Sequence, residues 1–211
     1  MKTIIEPFRI KSVEAIAMTT RDQRQRYASE AHFNLFALDS ENVLIDLLTD
    51  SGTSSMSADQ RAAVMRGDES YAGSPSFDRF EAAVKHLMPF RHVIPTHQGR
   101  AAERILFSIA TKPGQHVPNN THFDTTRANV EAQGTHPVDL VVPESLHLDS
   151  DGPFKGNMDI DRLQAFIADV GPAAVPLCML TLTNNAAGGQ PVSMENIRAT
   201  KDVCARHGIP L

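Results

Sequence analysis

The sequence is poor in the residues that mark several classes of protein. It has two cysteines and no tryptophan in 211 residues, which argues against a disulfide-stapled scaffold and a multi-cysteine metal site. No run of about 18 apolar residues is present, so no membrane-spanning helix is predicted. The residues that follow Met1 lack the apolar stretch of a signal peptide. These absences predict a cytoplasmic protein that has no membrane partner.

The charge balance excludes another class. The formal net charge is −5, and acidic and basic residues are interspersed, so there is no basic stripe for nucleic acid. Hydrophobic residues make up 41% and charged residues 21% of the chain, which is typical of an ordinary globular protein. Cys178 and Cys204 both lie in apolar periodic segments, and we expect them to be small core residues.

Helical and strand patterns alternate along the chain. Thr20 and Ser57 each precede a Gln by three residues, the pattern of a capping box at a helix start. Apolar spacing predicts further helices over residues 77–87, after Arg100, over 160–170 and after Ser193, the last ended by Gly208. Apolar runs predict a strand or buried segment at 43–48, strands at 92–94 and 138–142, and a long strand at 175–182. This alternation favours an α/β fold with a parallel sheet.

Residues 95–100 (PTHQGR) lie where the predicted strand at 92–94 gives way to a helix. The first N–H groups of a helix lack internal partners, and the helix dipole favours negative charge there. Gly99 allows an anion to approach the main chain closely, and Arg100 adds a forked cationic donor. A phosphate site is therefore predicted. The residues alone leave a second interpretation open, an ordinary capped helix beside a surface arginine.

Six segments carry a resemblance to a known family. They are residues 6–11 (EPFRIK), 46–53 (DLLTDSGT), 66–73 (RGDESYAG), 94–100 (IPTHQGR), 123–127 (FDTTR) and 185–193 (NAAGGQPVS). In this order and spacing they resemble the β-eliminating lyases that use pyridoxal phosphate, namely tryptophanase and tyrosine phenol-lyase. The resemblance implies a fold-type I, aspartate aminotransferase-like large domain, incomplete here, with an N-terminal arm. It places the arm and interface segment at 1–55 and the large domain at 56–211.

The resemblance also implies roles for named residues. The cofactor phosphate would be held at residues 98–100, and an aromatic face would stack on the pyridine ring. The implied cofactor-binding residues are Gln98, Gly99, Arg100, Phe123, Asp124 and Asn185, and the implied substrate-binding residues are Thr49 and Ser51. Without the resemblance, Phe123 would read as an ordinary core residue and residues 49–53 as a polar turn.

Two further roles follow from the same likeness. Tyr71 would donate a proton to the departing aromatic ring, since a ring carbon is a poor leaving group until it is protonated. It would do so in the active site of a neighbouring subunit of a homotetramer. Glu69 and the backbone of Gly52 would bind a monovalent cation, usually potassium, for which oxygen ligands are suited. A solvated Glu69 in a turn is the plainer interpretation.

The implied reaction is the cleavage of an aromatic amino acid to an aromatic fragment, pyruvate and ammonia. Asp124 favours L-tryptophan as substrate, with indole as product, whereas the short segment 112–117 is typical of phenol-lyases, which act on L-tyrosine. None of the lysines matches the family's Schiff-base motif, and residues 208–211 look like the start of a further strand. We therefore expect the chain to be a fragment that is inactive alone. Other hypotheses are a pyridoxal-phosphate aminotransferase or C–S lyase, and an inactive truncated copy.

Overall fold

The computed structural model of the protein describes residues 17–46 and 56–211. The chain divides into an amino-terminal unit, Met1–Pro89, and a carboxyl-terminal unit, Phe90–Leu211. In the described part of the amino-terminal unit the helices are α1 (Arg21–Glu30), α2 (Ala58–Met65) and α3 (Pro75–Leu87), with 3₁₀ turns at Leu35–Ala37 and Ser40–Asn42. The predicted boundary between arm and large domain at residue 55 stays a prediction.

Both predicted capping boxes are confirmed. In α1 the Gln23 N–H donates to Thr20 Oγ1 at 3.3 Å, and the Thr20 N–H donates to Gln23 Oε1 at 2.8 Å. In α2 Ser57 and Gln60 make the same reciprocal pair at 3.0 and 2.8 Å. Each box satisfies N–H groups that the helix itself cannot bond. The two helix starts are therefore set by local sequence.

The carboxyl-terminal unit alternates helices and strands. Its elements are α4 (Gly99–Ala110), β1 (His116–Asn119), α5 (Asp124–Glu131), β2 (His136–Asp139), α6 (Ile160–Val170) and α7 (Met194–Arg206). Three 3₁₀ turns lie at Pro143–Leu146, Pro172–Ala174 and Asn185–Ala187. β1 and β2 pair in parallel, with His116 opposite His136 and Asn119 opposite Asp139. The predicted α/β alternation and parallel pairing are confirmed.

The strand predictions need five corrections, of which the last concerns residues 175–182. Residues 92–94 form no strand, and Ile94 is 82% exposed, because no ladder partner lies beside them in the described residues. β1 was not predicted, since His116 and Pro118 break its apolar pattern. β2 begins before the predicted 138–142 and ends at Asp139, after which Val141 makes an isolated antiparallel bridge to Met158. Residues 43–46 form no strand, and residues 47 and 48 lie outside the described part.

Residues 175–182 are extended beside β1 but are not a strand of the sheet. The Met179 N–H donates to Pro118 O at 2.8 Å, and the Cys178 N–H donates to Pro210 O at 2.9 Å. The segment therefore runs between β1 and the residues near Pro210. A regular parallel pair needs N–H donors from both strands, and proline has no N–H. Pro118 and Pro210 can accept but cannot donate, so the ladder stays incomplete.

Two apolar clusters form the core of the carboxyl-terminal unit. The larger is built on α6 and α7, with Leu163 and Ile167 fully buried. The smaller contains Phe107, Val117, Val130 and Leu177. Cys178 and Cys204 are both free and buried in the larger cluster, as predicted. Their mutual hydrogen bond and burial raise the pKa of the Cys178 thiol, so this thiol stays protonated at neutral pH.

Candidate functional site

The helix start at residues 98–100 is open on its outer side. Gln98 is the N-cap of α4, has an extended backbone and makes no side-chain cap bond. In the part of the chain that the structure describes, neither the N–H groups of Gly99 and Arg100 nor the Arg100 guanidinium has a protein partner. A Cβ built on Gly99 would meet no heavy atom within 4 Å. The arrangement can accept an anion without displacing any protein group.

Glu103 aligns this helix start with the start of α5. Its Oε1 accepts a hydrogen bond from Thr126 Oγ1, and its Oε2 accepts one from Asn129 Nδ2 at 3.3 Å. One turn further along each helix, Phe107 and Val130 belong to the same buried cluster. The two helices therefore run side by side in the same direction. The start of α5 follows the carboxyl end of β1 through residues 120–123, and the Glu103 bonds hold α4 beside α5. Ligands bind at this end of the strands in open parallel sheets.

The loop between β1 and α5 carries Phe123 and is held by an ion pair. His122, whose side chain is fully buried, donates from Nδ1 to Asp139 Oδ1 at 2.7 Å, and its backbone N–H donates to the same oxygen at 2.8 Å. Arg127 binds the other carboxylate oxygen. Burial acts to raise the pKa of Asp139, but the two hydrogen bonds from His122 and the charges of His122 and Arg127 outweigh it and lower that pKa. Asp139 therefore anchors the residue that precedes Phe123.

Phe123 and Asp124 take different places at the start of α5. Phe123 is the N-cap, with an extended backbone and a half-buried side chain, so it is not the core phenylalanine of the plainer interpretation. Asp124 is the first helical residue and is exposed, and its Oδ1 accepts from the Thr125 N–H at 2.6 Å. A carboxylate in the first turn suits the helix dipole.

Asn185 projects from a closed loop that is tied to the same region. Asn184 is fully buried, its N–H donates to Gln190 O at 2.9 Å, and the exposed Asn185 begins the 3₁₀ turn that follows. The Asn184 Nδ2 donates to Thr121 Oγ1 at 3.1 Å. Within the described residues, Asn184 Oδ1 and His122 Nε2 are buried and have no hydrogen-bond partner. The structure therefore brings Asn185 and Phe123 into one region that is connected by hydrogen bonds.

Tyr71 and Glu69 lie in the amino-terminal unit, on a turn that is braced by Asp68. The Asp68 Oδ1 accepts from the Ser76 N–H at 3.0 Å, and the Ser76 Oγ accepts from the Asp68 N–H at 3.3 Å. Hydrogen bonds from Ser76 and Ser70 hold the pKa of Asp68 well below its usual range. Glu69 is exposed and Tyr71 is fully exposed. Thr49, Ser51 and Gly52 lie outside the described residues.

Several residues of this region were not predicted from the sequence. Glu103 looked like one more charged residue on an amphipathic helix, and His122 and Asp139 were 17 positions apart with no motif to connect them. Within residues 17–46 and 56–211, no three His, Cys, Asp or Glu side chains are grouped as metal ligands. The helices described are all too short or too polar to cross a membrane.

Comparison with known proteins places this geometry in a family. Residues 46–211 match the profile of the beta-eliminating lyases. The chain is 63% identical over 210 residues to a tryptophanase of Rhodobacter capsulatus. This alignment covers 100% of the chain and 46% of the relative. The chain is 61% identical to a tryptophanase of Salinibacter ruber (100% and 45%) and 51% identical to a tyrosine phenol-lyase of Pasteurella multocida (97% and 44%). The chain spans about half the length of these relatives.

A solved structure supports the fold. The crystal structure of the SepCysS–SepCysE N-terminal domain complex matches with a TM-score of 0.50 at 15% identity, and covers 71% of this chain and 38% of that one. At this identity the likeness concerns the fold alone. Together with the profile match, it confirms the predicted fold class, part of an α/β large domain of fold type I.

Proposed function

This chain belongs to the beta-eliminating lyase family, and we propose that the complete protein is a pyridoxal-phosphate enzyme that cleaves L-tryptophan to indole, pyruvate and ammonia. One observation carries the choice of substrate. The tryptophanases named above are 61–63% identical to this chain, whereas tyrosine phenol-lyases are 50–51% identical over nearly the same residues. A difference of about ten points over the whole chain favours the indole-forming reaction.

The residues at the carboxyl end of β1 fit pyridoxal phosphate. The open helix start at Gly99 and the Arg100 guanidinium, which has no partner among the described residues, suit a phosphate dianion. Phe123 is half-buried and stands on the loop between β1 and α5, where its ring can pack on a flat pyridine. Asn185 is exposed on the loop tied to Thr121. When bound, the cofactor supplies an electron-withdrawing ring that stabilises negative charge at the substrate Cα.

In this proposal each residue of the site binds or orients the cofactor or the substrate. Gln98, Gly99 and Arg100 hold the phosphate, and Phe123 packs on the ring face. Asn185 donates a neutral hydrogen bond to a ring oxygen. Asp124, exposed at the first turn of α5, faces the aromatic part of the substrate. Thr49 and Ser51, which lie outside the described residues, hold the substrate carboxylate.

Tyr71 is proposed as the proton donor to the departing indole. Its phenol is fully exposed, and Asp68 braces the turn on which it lies, so the side chain is available to a second subunit. This assignment needs at least a dimer, and the family resemblance favours a homotetramer in which chains share active sites. The proposed cytoplasmic location rests on the sequence alone.

A monovalent cation, potassium, is proposed to bind Glu69 and the backbone carbonyl of Gly52. Glu69 is exposed and adjoins the braced Asp68 turn, which supports its availability as an oxygen ligand. Gly52 lies outside the described residues. The cation would order the turn that presents Tyr71.

The substrate can be tested in the protein expressed from its complete coding sequence. We expect indole from L-tryptophan at a kcat/KM at least about tenfold above that for phenol from L-tyrosine, with more activity in potassium than in sodium. Asp124→Thr should move this ratio toward tyrosine. Predominant phenol formation would favour tyrosine phenol-lyase activity, and transamination without either product would contradict β-elimination.

A further inference from the structure

Asn120 is a buried side chain near the candidate site that joins two distant segments of the chain. It is fully buried, and its Oδ1 accepts from the Thr181 N–H at 2.8 Å. Its Nδ2 donates to Thr181 O at 3.0 Å and to Gly156 O at 2.8 Å. The side-chain amide therefore uses both of its N–H groups and its oxygen on the backbones of two segments that are 36 and 61 residues away in sequence.

The hydrogen bonds between the Asn120 side chain and the Thr181 backbone replace those that a neighbouring strand would make. Met179 still bonds to the backbone of β1 at Pro118 O, but β1 ends at Asn119, so Thr181 has no regular strand residue beside it. A buried N–H and C=O that lack partners are costly. The Asn120 side chain presents an amide to the Thr181 backbone as a neighbouring peptide group would, and the pairing of the two segments is thereby prolonged.

The loop that carries Asn185 is held at both of its ends through partners of Asn120. At one end, Thr181 lies three residues before Asn184. At the other end, the Gly156 N–H donates to Pro191 O at 3.1 Å. A Cβ on Gly156 would approach Pro191 O to 2.8 Å and Gln190 O more closely still, so the two backbones meet where only glycine fits.

Asn120 also stands three residues before Phe123. Asn119 strengthens this side of the connection, because its Nδ2 donates to Thr121 O at 3.1 Å and to Thr181 Oγ1 at 3.0 Å. The segment that ends in Phe123 and the loop that begins at Asn184 are thus joined by buried amides. Each such bond depends on the others for its geometry.

We propose that Asn120 is a positioning residue that sets the place of Asn185 relative to Phe123 and so the geometry of the cofactor site. The proposal rests on the assignment of pyridoxal phosphate to this site under Proposed function. Asn120 does not touch the cofactor in this view. It acts by holding Thr181 and Gly156, and through them the two ends of the Asn185 loop.

The chain offers a matched control in Asn196. This residue is 8% exposed and makes the same paired contact, because its Oδ1 accepts from the Met158 N–H at 2.8 Å and its Nδ2 donates to Met158 O at 2.8 Å. Its side-chain amide joins α7 to Met158, and within the described residues it makes no hydrogen bond to residues 120–123 or 184–191. Loss of either amide removes the partners of one backbone N–H and C=O pair, part-buried at Thr181 and buried at Met158, so both losses should lower stability.

The test compares Asn120→Ala with Asn196→Ala in the protein expressed from its complete coding sequence. Urea unfolding measures stability, and titration with pyridoxal phosphate, followed by absorbance and visible circular dichroism, measures cofactor affinity and orientation. We expect a loss of stability in both variants, a cofactor Kd raised about tenfold or more with altered dichroism in Asn120→Ala alone, and a Kd within about twofold of wild type in Asn196→Ala. Equal Kd values in the two variants would overturn the proposal.

Hydrogen exchange provides a readout that needs no cofactor. Asn120→Ala should speed exchange at the amides of Asn184 and Gln190, whereas Asn196→Ala should not; unchanged exchange would contradict the positioning role. If Asn120→Ala fails to fold, Gly156→Ala displaces the same loop from its other end and should raise the Kd in the same way, and an unchanged Kd there would count against the proposal. A wild-type protein that binds no pyridoxal phosphate would refute the proposed function, and the exchange result would still decide whether Asn120 positions the loop.

Discussion

The two units of the molecule differ in what they bury. In the carboxyl-terminal unit, Phe107, Leu163 and Ile167 are fully buried, and a buried polar network lies beside them. In the described part of the amino-terminal unit, Ala31 is the one buried hydrophobic residue. The helix α3 there has a clear apolar stripe, yet Phe80 is 46% exposed and Leu87 is 79% exposed.

This difference shows that a helix can have an apolar face suited to burial without that face being buried. An apolar stripe at helical spacing marks the face that can pack, but the partner surface must come from elsewhere in the structure. The carboxyl-terminal unit supplies its own partners and can hold Phe123 and Asn185 in place. The amino-terminal unit instead exposes Tyr71, as the proposed role at a neighbouring subunit requires.

The largest expected effect is on core packing. Phe107→Ala should lower the free energy of unfolding by about 3–5 kcal/mol, because it opens a cavity in a filled cluster. Phe80→Ala should cost about 1 kcal/mol or less, since its ring is already half-exposed. Urea unfolding of both variants measures the two costs. Equal costs would mean that Phe80 is buried in solution, and the contrast between the units would fail.

The next effect concerns the two braced carboxylates. Asp139→Asn should cost about 2 kcal/mol at neutral pH, since charged hydrogen bonds to His122 and Arg127 are lost. Asp68→Asn, on an exposed turn, should cost less. The lowered pKa of Asp139 fixes the sign of the pH dependence. Its stabilisation is present above the unfolded pKa of about 3.9 and is lost as the pH falls through the folded pKa.

Unfolding measured between pH 7 and pH 3 checks this dependence. The stability difference between wild type and Asp139→Asn should shrink below about pH 4. A difference that stays constant over this range would show that the carboxylate charge contributes nothing to the brace.

The smallest effect on stability is expected at Tyr71. Tyr71→Phe should change the free energy of unfolding by less than about 0.5 kcal/mol, because the side chain is fully exposed. In the complete protein it should lower kcat for L-tryptophan by about 10²–10⁴-fold, the range for loss of a general acid. An S-substituted cysteine, whose thiolate leaves without prior protonation, is the control substrate and should be affected much less. Equal loss with both substrates would remove Tyr71 from proton donation.

Predictions from the sequence succeeded where a few adjacent residues carry the signal. The capping boxes at Thr20 and Ser57 and the N-cap at Ser193 were found because an N-cap is a contact over about three residues. The start of α4 at Gly99 has no side-chain cap bond and was found from the apolar spacing that follows it. The strands were harder. β1 was missed and residues 92–94 were wrongly assigned. A strand exists only beside a partner, and the residues of one strand do not specify which segment pairs with it.

The same distinction between local and long-range contacts applies to the candidate site. The open helix start at Gln98, Gly99 and Arg100 could be predicted, since helix termini and glycine act through the local backbone. That it binds an anion stays a prediction. The carboxylate of Asp139 beneath His122, the bond from Glu103 to Thr126 and the amide of Asn120 on Thr181 could not. Those contacts join residues 17 to 61 positions apart. Only the packing of β1, α4, α5 and the Asn185 loop brings them within hydrogen-bond distance, because bonds of this kind act over about 3 Å in space and are indifferent to separation along the chain.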